Sequence, residues 1–69
     1  KMILSENDQI KLRIIELSQE HQDLHYLIDH LSEDVLPDQL RIRRLKKRRL
    51  FIKDQIEHLK STLIPDIDA

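Results

Sequence analysis

The 69-residue chain contains no cysteine, no glycine and no tryptophan. Without cysteine it has neither a disulfide bond nor a thiolate metal site. Without glycine it forms neither a Walker phosphate-binding loop nor a dinucleotide-binding fingerprint, because both motifs need backbone geometry that only glycine allows. We therefore expect no bound cofactor.

Aromatic residues and long apolar runs are also scarce. The two aromatic side chains, Tyr26 and Phe51, are too few for the stacking surface of a single-stranded nucleic-acid binder. The longest apolar runs are triplets such as Leu50-Phe51-Ile52, far shorter than a signal sequence or a membrane span. We expect a cytoplasmic protein without a membrane partner.

What the sequence does contain is an uneven distribution of charge. The formal net charge is only −1. Residues 1–36 carry eight acids and three bases, whereas residues 37–69 carry nine bases and five acids. Opposite charges on the two halves favour their pairing within one chain.

Apolar residues recur at alternating intervals of four and three along both halves, which is typical of a coiled-coil seam. In the first half the seam comprises Ile10, Ile14, Leu17, His21, Leu24, Ile28, Leu31 and Val35. In the second half it comprises Ile42, Leu45, Arg49, Ile52, Ile56, Leu59 and Leu63. Ser5 and Asp38 are suitable N-caps, and Pro37 and Pro65 mark helix ends.

The two seams share one register. The pairs 10/63, 14/59, 17/56, 21/52, 24/49, 28/45 and 31/42 each sum to 73, so one turn at Leu36-Pro37 places the residues of each pair opposite each other. This predicts an all-α protein, an antiparallel two-helix hairpin in a single domain over residues 1–69. Its first helix would span about residues 5–35, its turn 36–38 and its second helix 38–64, followed by a tail over 65–69.

Two polar residues, His21 and Arg49, interrupt the seams. Arg49 can bury its aliphatic stem and direct its guanidinium toward Glu20 or Asp23, and His21 can bond to Asp54. Polar residues at such positions commonly determine the register of paired helices, and we assign that role to both.

The motifs of both helices resemble a known family. Glu20-His21-x-x-Leu24-x-x-x-Ile28 is followed by Leu45-Lys46-Lys47-Arg48-Arg49-Leu50-x-Ile52-Lys53-Asp54-x-Ile56. These strings, over about residues 14–60, resemble the YdcH-like family of small bacterial proteins, a domain of unknown function. The resemblance implies a helical hairpin of bacterial cytoplasmic origin, and it implies no catalytic residue.

Catalytic and metal-binding roles find little support in the sequence. His21 and His25 stand one helical turn apart, ahead of Asp29, which is a spacing that can hold zinc. A fourth ligand is missing, so we interpret the histidines as structural or solvated and expect no metal. No serine or threonine has a suitable His and acid nearby, so we expect no enzyme.

Two surface features remain as candidates for function. The first is the basic run, whose outward side chains Arg43, Arg44, Lys46, Lys47 and Lys53 can contact phosphates of RNA or DNA. The second is a set of apolar residues outside the seams, which can form a partner or oligomer surface: Leu50, Phe51, Leu12, Ile15 and Tyr26. A lone hairpin is marginally stable, so we predict a homo-oligomer, such as a four-helix bundle, that acts as a protein-interaction module. The alternative is an accessory nucleic-acid-binding protein.

Overall fold

The computed structural model describes residues 4–63, which form two α-helices. Helix α1 spans Glu6–Ser32 and α2 spans Gln39–Thr62. The helices pack against each other along their lengths, and the described residues contain no strand. The predicted helical hairpin is confirmed.

Each helix begins at the capping residue that the sequence predicts. Ser5 Oγ accepts a hydrogen bond of 3.1 Å from the Asp8 amide, and Asp38 Oδ1 accepts one of 3.0 Å from the Arg41 amide. These bonds satisfy amides that have no partner within the helix. The caps therefore determine where both helices start.

The connection between the helices is longer than predicted. Helix α1 stops at Ser32 rather than near 35, and its last turn tightens through bonds from the Glu33 amide to His30 and from the Asp34 amide to Leu31. Val35, predicted to be the last seam residue, is 95% exposed. Pro37 disfavours helical backbone at the preceding residue, Leu36. The chain must also cover the roughly 8–10 Å that separate the axes of two packed helices. The reversal therefore takes residues 33–38 rather than three residues.

The end of α2 also differs slightly from the prediction. Leu63 already has extended backbone, with φ −65° and ψ 135°, so the helix ends at Thr62. Residue 64, Pro65 and the predicted tail over 65–69 lie outside the described residues.

The core follows the predicted register. Leu17, Ile52 and Ile56 form a buried cluster, against which three partly buried residues pack, namely Ile14, Leu24 and Leu59. The cluster thus unites the predicted pairs 17/56 and 14/59. Nearer the turn, Ile28 and Ile42 are buried as well. The seam from Ile14 to Leu31 is consequently the surface of α1 that packs against α2.

Ile52 provides a direct test of this packing, because its side chain is only 1% exposed. We expect Ile52→Ala to lower the free energy of unfolding by about 2–5 kcal/mol, since it removes methyl groups from a packed core. Urea unfolding followed by circular dichroism measures the change. Leu40→Ala, at an exposed position of α2, should change stability by less than about 0.5 kcal/mol. Equal losses in the two variants would contradict this core.

Candidate functional site

The two sides of the hairpin differ in how their charges are paired. On one side, Arg48 Nη2 donates to Glu20 Oε2 at 3.2 Å, and the Arg48 guanidinium lies 5.9 Å from the centroid of the Phe51 ring. An arginine at this distance from an aromatic face is attracted by the ring as well as by the carboxylate. This side joins the basic helix to the acidic one.

The arginine that pairs with Glu20 is not the one predicted. The sequence suggested Arg49 as the partner of Glu20 or Asp23, but Arg49 Nη1 lies 3.1 Å from His25 Nδ1 instead. Successive side chains on a helix are about 100° apart. Arg48 therefore reaches the acidic side while Arg49, half-buried in the seam, extends to the opposite one.

Arg49, His25 and Asp29 form a short polar chain on that opposite side. The guanidinium can only donate, so His25 Nδ1 is the acceptor of this hydrogen bond. The other ring nitrogen of His25, Nε2, lies 3.5 Å from Asp29 Oδ2. Both ring nitrogens of His25 are therefore engaged, and its ring orients the guanidinium of Arg49.

An open groove of about 480 Å³ lies on the same side, between the helices. Its lining comes from both helices and comprises His21, His25, Lys46, Arg49, Leu50 and Lys53. Three of these side chains are permanently positive and none is a carboxylate. The groove can therefore offer hydrogen-bond donors and positive charge to an anion.

His21 lies where the seam predicts but lacks the predicted partner. It is half-buried at the wall of the groove, and no hydrogen bond joins it to Asp54 within residues 4–63. Asp54 follows Ile52 by two positions, which is about 200° around the helix and directs its carboxylate away from α1.

The metal-binding spacing of His21, His25 and Asp29 does not produce a cluster. Among the described residues, no three histidine, aspartate or glutamate side chains come close enough to share a metal ion. His25 is held between Arg49 and Asp29 instead.

The predicted phosphate contacts are only partly brought together. Lys46 and Lys53 line the groove, whereas Arg43, Arg44 and Lys47 are exposed elsewhere on α2. In the part of the chain that the structure describes, Arg48 is the one base between residues 41 and 53 that lies within ion-pair distance of a carboxylate. Most of the basic run is thus not neutralised by α1.

The predicted partner-surface residues are all exposed but occupy three places. Leu50 lines the groove, and Phe51 lies beside Arg48. The other three belong to one stripe on the outer face of α1, which we call the outer stripe: Leu12, Ile15, Gln19, Gln22 and Tyr26. The two glutamines were not predicted as site residues, although their seven-residue spacing with the apolar members could have identified them.

A comparison of the sequence with known families agrees with this hairpin. Residues 15–60 match the family described as "Protein of unknown function (DUF465)". The chain belongs to this family. The match confirms the predicted membership of a family of small proteins of unknown function, and the narrower YdcH-like name stays a prediction. No curated protein and no solved structure is significantly similar to the chain.

The DUF465 segment contains every residue that lines the groove and all of the outer stripe except Leu12. Within residues 4–63, neither helix has an apolar stretch long enough to cross a bilayer.

The pairing of Glu20 in this DUF465 chain can be tested against Asp23, the other predicted acid. We expect Glu20→Gln to lower the free energy of unfolding by about 0.2–1 kcal/mol, the usual contribution of an exposed ion pair, and Asp23→Asn to change it less. Urea unfolding at low salt measures both variants. At about 1 M salt, where charges are screened beyond about 3 Å, the difference between them should shrink. A larger effect at Asp23 would contradict the pairing.

Proposed function

We propose that this protein is a non-enzymatic protein-interaction module of the bacterial cytoplasm that self-associates through the outer stripe. The observation that carries the proposal is an exposed row of five uncharged side chains in a chain of which 36% is charged. Exposed apolar side chains grouped on one face, here Leu12, Ile15 and Tyr26, are typical of an interface. The family resemblance supports the bacterial cytoplasmic origin.

The spacing of the outer stripe supports a helical partner. Residues 12, 15, 19, 22 and 26 are separated by intervals of three and four, the pattern of a coiled-coil seam. The stripe extends over 14 residues, about 21 Å at 1.5 Å per residue. Helix α1 thus has two seams, one covered by α2 and one exposed.

Four of the five stripe residues are complementary to one another, which supports a second copy of the chain as the partner. Two α1 helices can pair antiparallel with residue numbers that sum to 41. Ile15 then lies opposite Tyr26, and Gln19 opposite Gln22, twice each around a two-fold axis. The apolar pairs can exclude water, and the glutamine amides can bond to each other across the axis. A four-helix assembly results, with Leu50 and Phe51 available for further contacts.

The hydroxyl groups and the open groove support a role without catalysis. The hydroxyls of Ser32, Ser61 and Thr62 donate to backbone carbonyls of their own helices at 2.7–2.8 Å. A nucleophile would need a base beside it and a pocket that excludes water. The groove is open to solvent along the hairpin.

Sedimentation equilibrium over a range of protein concentrations tests self-association. We expect the wild-type chain to form dimers or larger assemblies, and Ile15→Gln, which places a second polar layer in the stripe, to weaken association at least about tenfold. Such a change corresponds to about 1.4 kcal/mol, close to the lower end of the range for burying an aliphatic side chain, about 1.5–3 kcal/mol.

The matched control is Leu40→Gln, which changes an exposed apolar residue outside the stripe. It should leave association unchanged. Leu50→Gln combined with Phe51→Gln should weaken association less than Ile15→Gln does, because these residues lie outside the stripe. A wild-type chain that stays monomeric at high micromolar concentration contradicts the proposal.

Nucleic-acid binding is a second candidate function, and the unneutralised basic run favours it. Arg43, Arg44 and Lys47 are exposed on α2 and have no carboxylate within ion-pair distance among the described residues. Cations of this kind can contact phosphates and release counterions from the nucleic acid.

Fluorescence anisotropy with labelled RNA and DNA oligonucleotides tests this second candidate. We expect binding at about 50 mM salt to decline steeply toward 200 mM, because each phosphate contact adds to the salt dependence. Arg43→Gln combined with Arg44→Gln should reduce both the affinity and the salt slope. If neither oligonucleotide binds at low salt, the second candidate is wrong.

A further inference from the structure

The groove differs from the rest of the charged surface because its cations converge. Lys46, Arg49 and Lys53 line one concave space together with His21 and His25 of the other helix, and no carboxylate lines it. On the opposite side of the hairpin, Arg48 is paired with Glu20 at 3.2 Å. Within residues 4–63, one base is therefore neutralised on one side of the seam, whereas Lys46, Arg49 and Lys53 on the other side have no carboxylate within ion-pair distance.

We propose that this groove binds a compact oligophosphate, a ligand with two or three linked phosphate groups. Lys46 and Lys53 hold its two ends, Arg49 holds its middle, and His21 and His25 line the wall on α1. The ligand is recognised through its phosphates and not through an attached base.

The donor set of the groove suits phosphate chemistry. Arg49 presents five N–H donors, of which one is used on His25 at 3.1 Å, so its planar fork can bind a second acceptor in a fixed orientation. Arginine forks match the oxygens of phosphate, and lysines add mobile positive charge on either side. His25 holds the guanidinium in place before the ligand arrives, which lowers the entropy cost of binding.

The dimensions of the groove favour a compact ligand. Its volume of about 480 Å³ lies within the range of small-molecule sites, about 300–1,000 Å³. Lys46 and Lys53 are seven residues apart, which is about 10 Å along the helix. Three permanent cations exceed what one phosphate monoester, with a charge of about −1.5 to −2, can balance. A ligand with several linked phosphates balances them better.

The lining also offers little to an attached base. Leu50 is its one aliphatic residue, and its aromatic rings are the small imidazoles of His21 and His25, since neither Tyr26 nor Phe51 lines the groove. Stacking on an aromatic face is the usual way to hold a base without reading its edges. Tripolyphosphate and nucleoside triphosphates are therefore expected to bind with similar affinity.

This inference does not depend on self-association, and it differs from the nucleic-acid candidate in the size of the ligand. A monomeric chain can bind an oligophosphate, and a chain that fails to bind long oligonucleotides can still bind tripolyphosphate. Because Leu50 is available to both the groove and an assembly, the titration is repeated at two protein concentrations.

The test is an isothermal titration of the full chain with tripolyphosphate at low salt, accompanied by ¹H–¹⁵N NMR spectra. We expect saturable binding of one ligand per chain, with the largest shifts at His21, His25 and Arg49. Lys46→Gln combined with Lys53→Gln should weaken binding at least about tenfold, since a hydrogen bond to a charged group contributes about 1.5–3 kcal/mol. Both lysines are exposed, so the double variant should fold.

The matched control is Lys47→Gln combined with Lys60→Gln, which removes the same charge from α2 outside the groove. It should weaken binding less than about threefold, which is less than half of one charged hydrogen bond. Equal weakening in the two double variants would overturn the proposal, because binding would then follow net charge alone. Shifts spread over all of α2 would overturn it in the same way.

Four further ligands complete the test. Two of them distinguish a free oligophosphate from the end of a nucleic acid, namely a nucleoside triphosphate and an oligonucleotide with a 5′-triphosphate. Saturable binding of either ligand at His25 supports the groove as the oligophosphate site. If an oligonucleotide without terminal phosphates binds more tightly than tripolyphosphate, the proposal of a compact ligand is wrong. If an acidic peptide binds more tightly than tripolyphosphate, the proposal that the groove recognises phosphate is wrong.

Discussion

The packing of Ile52 and Ile56 against Leu17 is the interaction on which the rest of the structure depends. Two helices without this contact would be amphipathic segments too weakly stable to persist alone in water. The contact also selects one register, because a shift of one residue would rotate the apolar side chains out of the seam and expose the core. Every polar pairing across the hairpin follows from that register.

The register creates two unlike sides from a chain of almost zero net charge. Arg48 and Arg49 are neighbours in sequence, but the turn of the helix directs them to opposite sides of the seam. Arg48 meets the carboxylate of Glu20, while Arg49 meets the ring of His25. One side is therefore neutralised and the other offers a group of positive charges. The register of the seam thus determines on which side of the hairpin the cations of α2 can bind an anion.

Much of this arrangement could be predicted from the sequence, because short-range patterns carry it. The seam spacing and the caps Ser5 and Asp38 depend on residues within one helical turn of each other. The length of the turn could not be predicted in this way, since it depends on the distance between packed helices, and Val35 is consequently exposed. The predicted partner of Glu20 was wrong for a similar reason. Arg48 and Arg49 are adjacent in sequence, and only the direction of their side chains decides which of them reaches Glu20. The groove was missed because it exists only between the two helices.

The outer stripe and the groove occupy different faces of α1. At about 100° per residue, Tyr26 of the stripe lies about 140° around the helix from His21 and about 100° from His25. A second copy that packs on the stripe would therefore leave the groove between α1 and α2 open to solvent. Charges further apart than about 8 Å are largely screened at physiological salt, so self-association and anion binding should be nearly independent of each other. The register of the hairpin thus gives α1 two separate surfaces, one for a helix of a second chain and one that it shares with α2 for an anion.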